Sequence, residues 1–159
     1  MELAGQPGQA LTFFLTPRVR WDGPLAQKIL DVAGEPMREQ AKLIIKSPKP
    51  GQVYDFPDFG SGFEKLYVGI LDEWDDGVLF EERRMVSCYR KVIEKAKSAG
   101  LESIVFPALG KDKTDFPHIK FARLAMKGIF SALGDPVQTV TIACADKRMM
   151  ETYQRRLQE

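Results

Sequence analysis

LESIVFPALGKDKTDFPHIKFARLAMKGIF, residues 101–130, reads as a buried strand, a short polar loop and a helix opened by proline. Leu101, Ile104, Val105 and Phe106 form the strand-like apolar run. After Pro117, the residues Phe121, Leu124, Ala125, Ile129 and Phe130 recur at helical spacing. A loop between a strand and a helix N-terminus gathers backbone N–H groups and the positive end of the helix dipole at one spot. That spot suits a phosphate or a carboxylate.

Outward from this stretch, strand and helix signals alternate. Ala10–Leu15, Val53–Phe56 and Leu66–Leu71 read as strands, the last nearly continuous in apolar residues, as in a sheet covered on both faces. Pro17 to Gly23 reads as a loop, and Pro24 opens a helix to about Ala33. Gly34-Glu35-Pro36 punctuates it before a second helical stretch to about Ile45, and SPKPG is a turn. Leu79 to Ser98 is a long amphipathic helix with Phe80, Val86, Tyr89, Val92, Ile93 and Ala96 on its inner stripe. Val137 to Ala145 is a further strand, and Asp146 is placed to cap a terminal helix through Leu157. The alternation predicts an α/β sheet between helices, as one domain over 10–159 preceded by a flexible segment, 1–9, rich in Gly, Pro and Gln.

Composition excludes several classes. With 23 Lys and Arg against 22 Asp and Glu, the chain has a formal charge of +1, unlike a dedicated nucleic-acid or membrane-surface binder. Its apolar runs are too short to span a bilayer, and MELAGQPGQA lacks the pattern of a signal peptide. A soluble intracellular protein is the expectation. Cys88 and Cys144 make neither a disulfide framework nor a metal set, and Cys144 shares an alternating apolar face with Val140 and Ile142.

The strand–loop–helix stretch also carries a resemblance. Phe106-Pro107-Ala108-Leu109, six loop residues and Phe116-Pro117 resemble the second phosphate-binding loop of macro domains, where the pattern is Phe-Pro-Ala-Ile-Ser-Thr-Gly-Ile-Tyr-Gly-Phe-Pro. Gly23-Pro24-Leu25, with Ile29-Leu30 and Ala33-Gly34, is similar to the family's first glycine-rich loop and helix. Tyr67-Val68-Gly69-Ile70 resembles its central strand, Cys88-Tyr89-Arg90 to Ala99-Gly100-Leu101 the helix ahead of the featured strand, and Ala143-Cys144-Ala145-Asp146 with Tyr153-Gln154 the last strand and helix. About four-fifths of the chain is covered.

The resemblance implies a three-layer α/β/α macro-like fold with a mixed central sheet, in which the family's two opening strands are missing or reorganised because few residues precede Ala10. It implies ADP-ribose or a related nucleotide as ligand, held by Asp22, Gly23, Pro24 and Leu25 in one loop and by Ala108, Leu109, Gly110, Lys111, Asp112, Lys113 and Thr114 in the other. It also marks departures. Phe13-Phe14-Leu15-Thr16 stands in place of Asn-Ala-Ala-Asn, and Ala26 where hydrolases of the family carry a carboxylate. Thr114 and Ala145 stand where aromatics cover the ribose and the adenine. Asp22 and Asp115 are each placed to cap a helix, bringing carboxylates where phosphate oxygens would lie. Lys111 and Asp112 replace residues that let the family's backbone approach the ligand.

Other constellations have plainer readings. Asp72-Glu73-Trp74-Asp75-Asp76-Gly77 opens like an EF-hand, but Trp74 takes the third ligand position and Arg83 the twelfth, so a solvated loop is the reading. His118, the single histidine, lacks a well-placed nucleophile and reads as a surface or capping residue. Arg18, Arg20 and Trp21 interleave cations with an aromatic; near-neutral charge favours a loop whose Trp21 packs inward. Lys147, Arg148, Arg155 and Arg156 bracket the terminal helix as a solvated face.

Three functions follow as expectations: a non-catalytic nucleotide-binding module with weakened phosphate loops; a macro-like domain that has lost the ligand and serves protein interaction or homo-oligomerisation through an unpaired sheet edge; and, remotely, an ADP-ribosyl hydrolase. No metal, cofactor or catalytic residue is assigned.

Overall fold

The computed structural model describes residues 9–71, 79–107, 118–143, 151 and 154. Eight elements follow in order: β1 (Ala10–Leu15), α1 (Pro24–Ile44), β2 (Val53–Phe56), β3 (Lys65–Ile70), α2 (Leu79–Ser98), β4 (Ser103–Pro107), α3 (His118–Ala132) and β5 (Thr139–Ala143). The strands make one mixed sheet in the order β2-β3-β1-β4-β5. β1 lies parallel to β3, from Ala10↔Lys65 to Leu15↔Ile70, and parallel to β4. β4 and β5 are parallel, whereas β2 returns antiparallel along β3.

This is the three-layer arrangement that the alternation predicts. α1 packs on one face, where Leu11, Phe13, Leu15, Leu66, Val68 and Ile70 meet Ala26, Ile29, Met37 and Ala41. α2 and α3 pack on the other, against Phe14, Tyr67, Ile104 and Phe106. All six residues of β1 are buried, because the central strand of a doubly covered sheet has no solvent side. Burying two such faces is the main source of stability in a fold of this size.

Glycines and proline shape the helices. α1 is broken at Gly34, whose φ of 79° and ψ of −177° lie outside the helical region, with Pro36 just beyond it. The Gly34-Glu35-Pro36 signal thus marks a kink between two helical halves. Between α2 and α3, a Cβ on Gly128 would stand 2.6 Å from the carbonyl oxygen of Val86 and 2.7 Å from the Cβ of Tyr89, so only glycine permits the approach. Val86, Tyr89, Val92, Ile93 and Ala96 face the core as their spacing predicts. Of the terminal helix only Glu151 and Gln154 are described, and both are helical; Cys144, Asp146 and the basic residues around that helix lie outside the described residues. No described helix is long and apolar enough to cross a membrane.

Candidate functional site

β1 and β4 are neighbours in the sheet, yet the helices that follow them lie on opposite faces. Where connections from adjacent parallel strands diverge in this way, a crevice opens beyond the carboxyl ends of the strands. Residues 16–23 connect β1 to α1, and β4 ends at Pro107, ahead of the connection to α3 at His118. The two loops singled out in the sequence are these two connections.

The first loop can be built residue by residue. Phe13, Phe14 and Leu15 are buried in the core, so the strand end anchors the loop through packing. Phe14 lies among aromatic neighbours, its ring centroid 5.1 Å from Tyr89 and 6.4 Å from Phe106. Arg18 and Arg20 are exposed, and Trp21 is half-buried against the α1-side core, so it packs inward as expected. The Gly23 N–H donates a 2.9 Å hydrogen bond to the Arg20 carbonyl, closing a turn that leads straight into the helix. A Cβ at Gly23 would come within 3.1 Å of the Arg20 Cβ and 3.2 Å of its oxygen. The glycine is therefore needed for a close approach rather than for an unusual φ, which is −89°.

Gly23 is itself the N-cap of α1, with Pro24 in the first turn. The Gly23 carbonyl accepts the first helical bond from Gln27, at 2.9 Å, but no side chain caps the helix. The expectation that Asp22 caps α1 is therefore corrected. Because the chain turns at Arg20–Gly23, the cap position falls on Gly23 and Asp22 is left one residue outside it, exposed. An uncapped helix leaves early N–H groups pointing along its axis, here those of Leu25 and Ala26, with the positive end of the dipole behind them. The side chains of Leu25 and Ala26 pack into the α1-side core, so these main-chain donors are rigidly held. Such an arrangement binds anions.

Ala26 is fully buried and carries no ionisable group, and Phe13 occupies a place where the resemblance would put an amide. Among the described residues no set of His, Cys, Asp and Glu is grouped to hold a metal. The second loop, Ala108, Leu109, Gly110, Lys111, Asp112, Lys113 and Thr114 with Asp115, lies outside the described residues, as does the acidic run 72–77. His118 begins α3. The Arg20–Gly23 turn has one signal in the sequence, a glycine directly ahead of a helix-opening proline.

Comparison with known proteins agrees with this geometry. The model of the Macro domain family matches residues 16–125, which span both connections of the crevice. The chain belongs to the macro domain family. A macro domain-containing protein of Methanosarcina mazei is 28% identical over 86 residues, 53% of this chain and 46% of that protein. The match thus spans about half the length of the relative. Among solved structures, the Oceanobacillus iheyensis macrodomain with ADP superposes with a TM-score of 0.87 at 19% identity, covering 99% of this chain and 87% of that one. The Trypanosoma brucei macrodomain in complex with ADP-ribose gives 0.81 at 16% identity, covering 98% and 66%. At such identities the superpositions establish the fold, and this macro domain keeps it while differing in sequence.

Proposed function

We propose that this macro domain is a non-catalytic binding module for ADP-ribose or a related nucleotide, with the diphosphate seated at the N-terminus of α1. The observation that carries this reading is the uncapped helix start at Gly23, at the mouth of the crevice, where no side-chain oxygen competes with a phosphate for the N–H groups of Leu25 and Ala26. Solved relatives hold ADP and ADP-ribose, which makes this ligand class the first to test. The absence of an ionisable side chain at Ala26 supports binding without turnover. Placing no group there to position a water leaves attack on the glycosidic carbon without assistance.

Two measurements test the reading. A ligand present at a hundred times its dissociation constant stabilises the fold by about 2.7 kcal/mol, which for a domain of this size raises the melting temperature by roughly 5–10 °C. ADP-ribose is expected to produce that shift, and an ADP-ribosylated protein incubated with the domain is expected to keep its modification. A melting temperature indifferent to millimolar ADP-ribose would remove the ligand reading; release of free ADP-ribose would replace the binding module with a hydrolase.

A further inference from the structure

We infer that the free edge of β2 is a homodimer interface, at which a second copy of this chain pairs antiparallel about Tyr54. β2 forms one edge of the sheet and, among the described residues, pairs with β3 alone. The Ile70 N–H donates to the Gln52 carbonyl at 2.8 Å, so Gln52 turns its main-chain groups toward β3. By the alternation of an antiparallel ladder, Tyr54 and Phe56 do the same, and the N–H and C=O of Val53 and Asp55 face outward. Two residues with outward groups, two apart, are the minimum that an isologous strand pair can use. With Tyr54 opposite Tyr54 of the second copy, Val53 lies opposite Asp55 and Asp55 opposite Val53. Both pairs are then of the hydrogen-bonded kind, and every outward group of β2 gains a partner.

The surroundings of the edge fit a copy better than a charged stranger. A groove of about 740 Å³ runs along it, lined by Val53, Asp55, Lys91, Glu94, Lys95 and Ser98 among others. Its acids and bases balance: Lys95 Nζ lies 2.9 Å from Asp55 Oδ1, and Lys91 Nζ donates to the Gly51 carbonyl at 3.0 Å. Asp55 would ordinarily discourage pairing as a charge on an edge strand, but Lys95 already neutralises it. A groove of balanced charge meets its own image under a twofold axis without net repulsion, whereas a strongly acidic or basic peptide would meet like charge at half of its contacts. The chain's charge of +1 adds no long-range repulsion between copies. Pairing uses up both edges at once, so association stops at two.

Sedimentation equilibrium on the full chain, from micromolar to millimolar, is expected to show the mass rising from 17.9 kDa toward twice that value. Val53→Pro deletes an N–H that β3 does not use and so spares the β2–β3 ladder. By symmetry it removes two intermolecular hydrogen bonds and is expected to weaken association roughly tenfold to a hundredfold. Register is read independently by Tyr54→Cys, which mild oxidation is expected to lock into a disulfide-linked dimer, because residues facing each other across such an axis lie within disulfide reach. Leu43→Cys, exposed on α1, is expected to stay unlinked, as is the parent chain. A parent chain that remains monomeric to millimolar, a folded Val53→Pro that associates like the parent, or linkage through Leu43→Cys in place of Tyr54→Cys would each overturn the interface. If Val53→Pro fails to fold, the two cysteine variants decide. The divergence of β1 and β4 lies beyond β3 from this edge, at the far side of β1, so ADP-ribose titrations of the same variants report on the binding site separately.

Discussion

A Cβ added to Gly69 would lie 2.7 Å from the Sγ of Cys88, inside any real contact distance, and 3.2 Å from two ring carbons of Phe14. The middle of β3 is thus bare so that α2 can settle onto the sheet, and the same contact holds Phe14 at the end of β1, where the chain leaves for the crevice. Both Cys88 and Phe14 are buried, so neither has free space into which to retreat. Gly69→Ala is accordingly expected to destabilise the fold by about 1–3 kcal/mol, the range for forcing an extra carbon into a packed core. A urea midpoint lowered at unchanged slope would show it; an unchanged midpoint would mean that the α2 contact is looser than drawn.

Lys97 closes the far end of the α2–α3 pair. Its ammonium donates a 3.0 Å hydrogen bond to the carbonyl of Ala132, the last residue of α3, where the helix dipole is negative and carbonyls lack helical partners. Lys97→Met keeps most of the aliphatic stem and deletes the charge and donor. It is expected to cost about 1–2 kcal/mol, and Lys97→Arg clearly less. Equal losses for the two variants, measured by thermal unfolding, would mean that stem packing rather than the charge matters.

Alkaline pH provides a test of how dry the α2-facing core is. Burial pushes the Cys88 thiol up from 9.0 to about 12, against a smaller downward pull from Lys91, and burial with the nearby Asp55 carboxylate pushes the Tyr67 phenol from 10.0 to about 12. Both groups stay protonated in the fold while the unfolded chain loses their protons, so the unfolded state binds fewer protons above its own pKa values. The sign is therefore a stability fully present below about pH 9 that falls between pH 9 and 12, by about 1.4 kcal/mol per pH unit for each group once it titrates. Cys88→Ala is expected to shallow the fall below pH 10, where the thiol alone contributes. A parent and variant with parallel profiles would show that Cys88 ionises in the fold.

Much of this arrangement is legible in the residues themselves. β1 and α2 announce their type because one is apolar throughout and the other carries a stripe at helical spacing, and the ends of both agree with the structure. Gly34 and Pro36 announce the break in α1 because φ at Gly34 is one that side chains resist. The start of α1 is legible in Pro24, which takes the first helical position as its fixed φ predicts. Less legible is that Asp22 stays clear of the cap: a turn closed by the Arg20 carbonyl sets Gly23 there, and its one mark in the sequence is the glycine ahead of that proline. Nor does periodicity say which strand ends the sheet, since Val53–Phe56 reads equally as an edge or an interior strand. The order of strands follows from the crossovers, which are contacts between segments far apart in the chain.

As the cap of α1, Gly23 is the position where the proposed binding and stability separate. Gly23→Ala adds a Cβ 3.1 Å from the Arg20 Cβ and 3.2 Å from its carbonyl oxygen, so the turn gives by a few tenths of an ångström while φ stays ordinary. Arg20 is exposed and its loop can yield, which limits the stability loss to about 1 kcal/mol. The N–H groups of Leu25 and Ala26 are aligned by that turn, however, and the diphosphate proposed to sit there would depend on their direction. ADP-ribose affinity is expected to fall at least roughly tenfold, about 1.4 kcal/mol, with the melting temperature of the unliganded domain lowered by only a few degrees. Asp22→Asn, in contrast, removes a carboxylate that caps nothing and lies next to the proposed phosphate position. It is expected to strengthen binding severalfold at low salt and less at high salt, since screening weakens the repulsion it relieves. Calorimetric titration of the two variants at two ionic strengths checks both signs. Affinity indifferent to Gly23→Ala and to Asp22→Asn alike would place the phosphates elsewhere than at the start of α1.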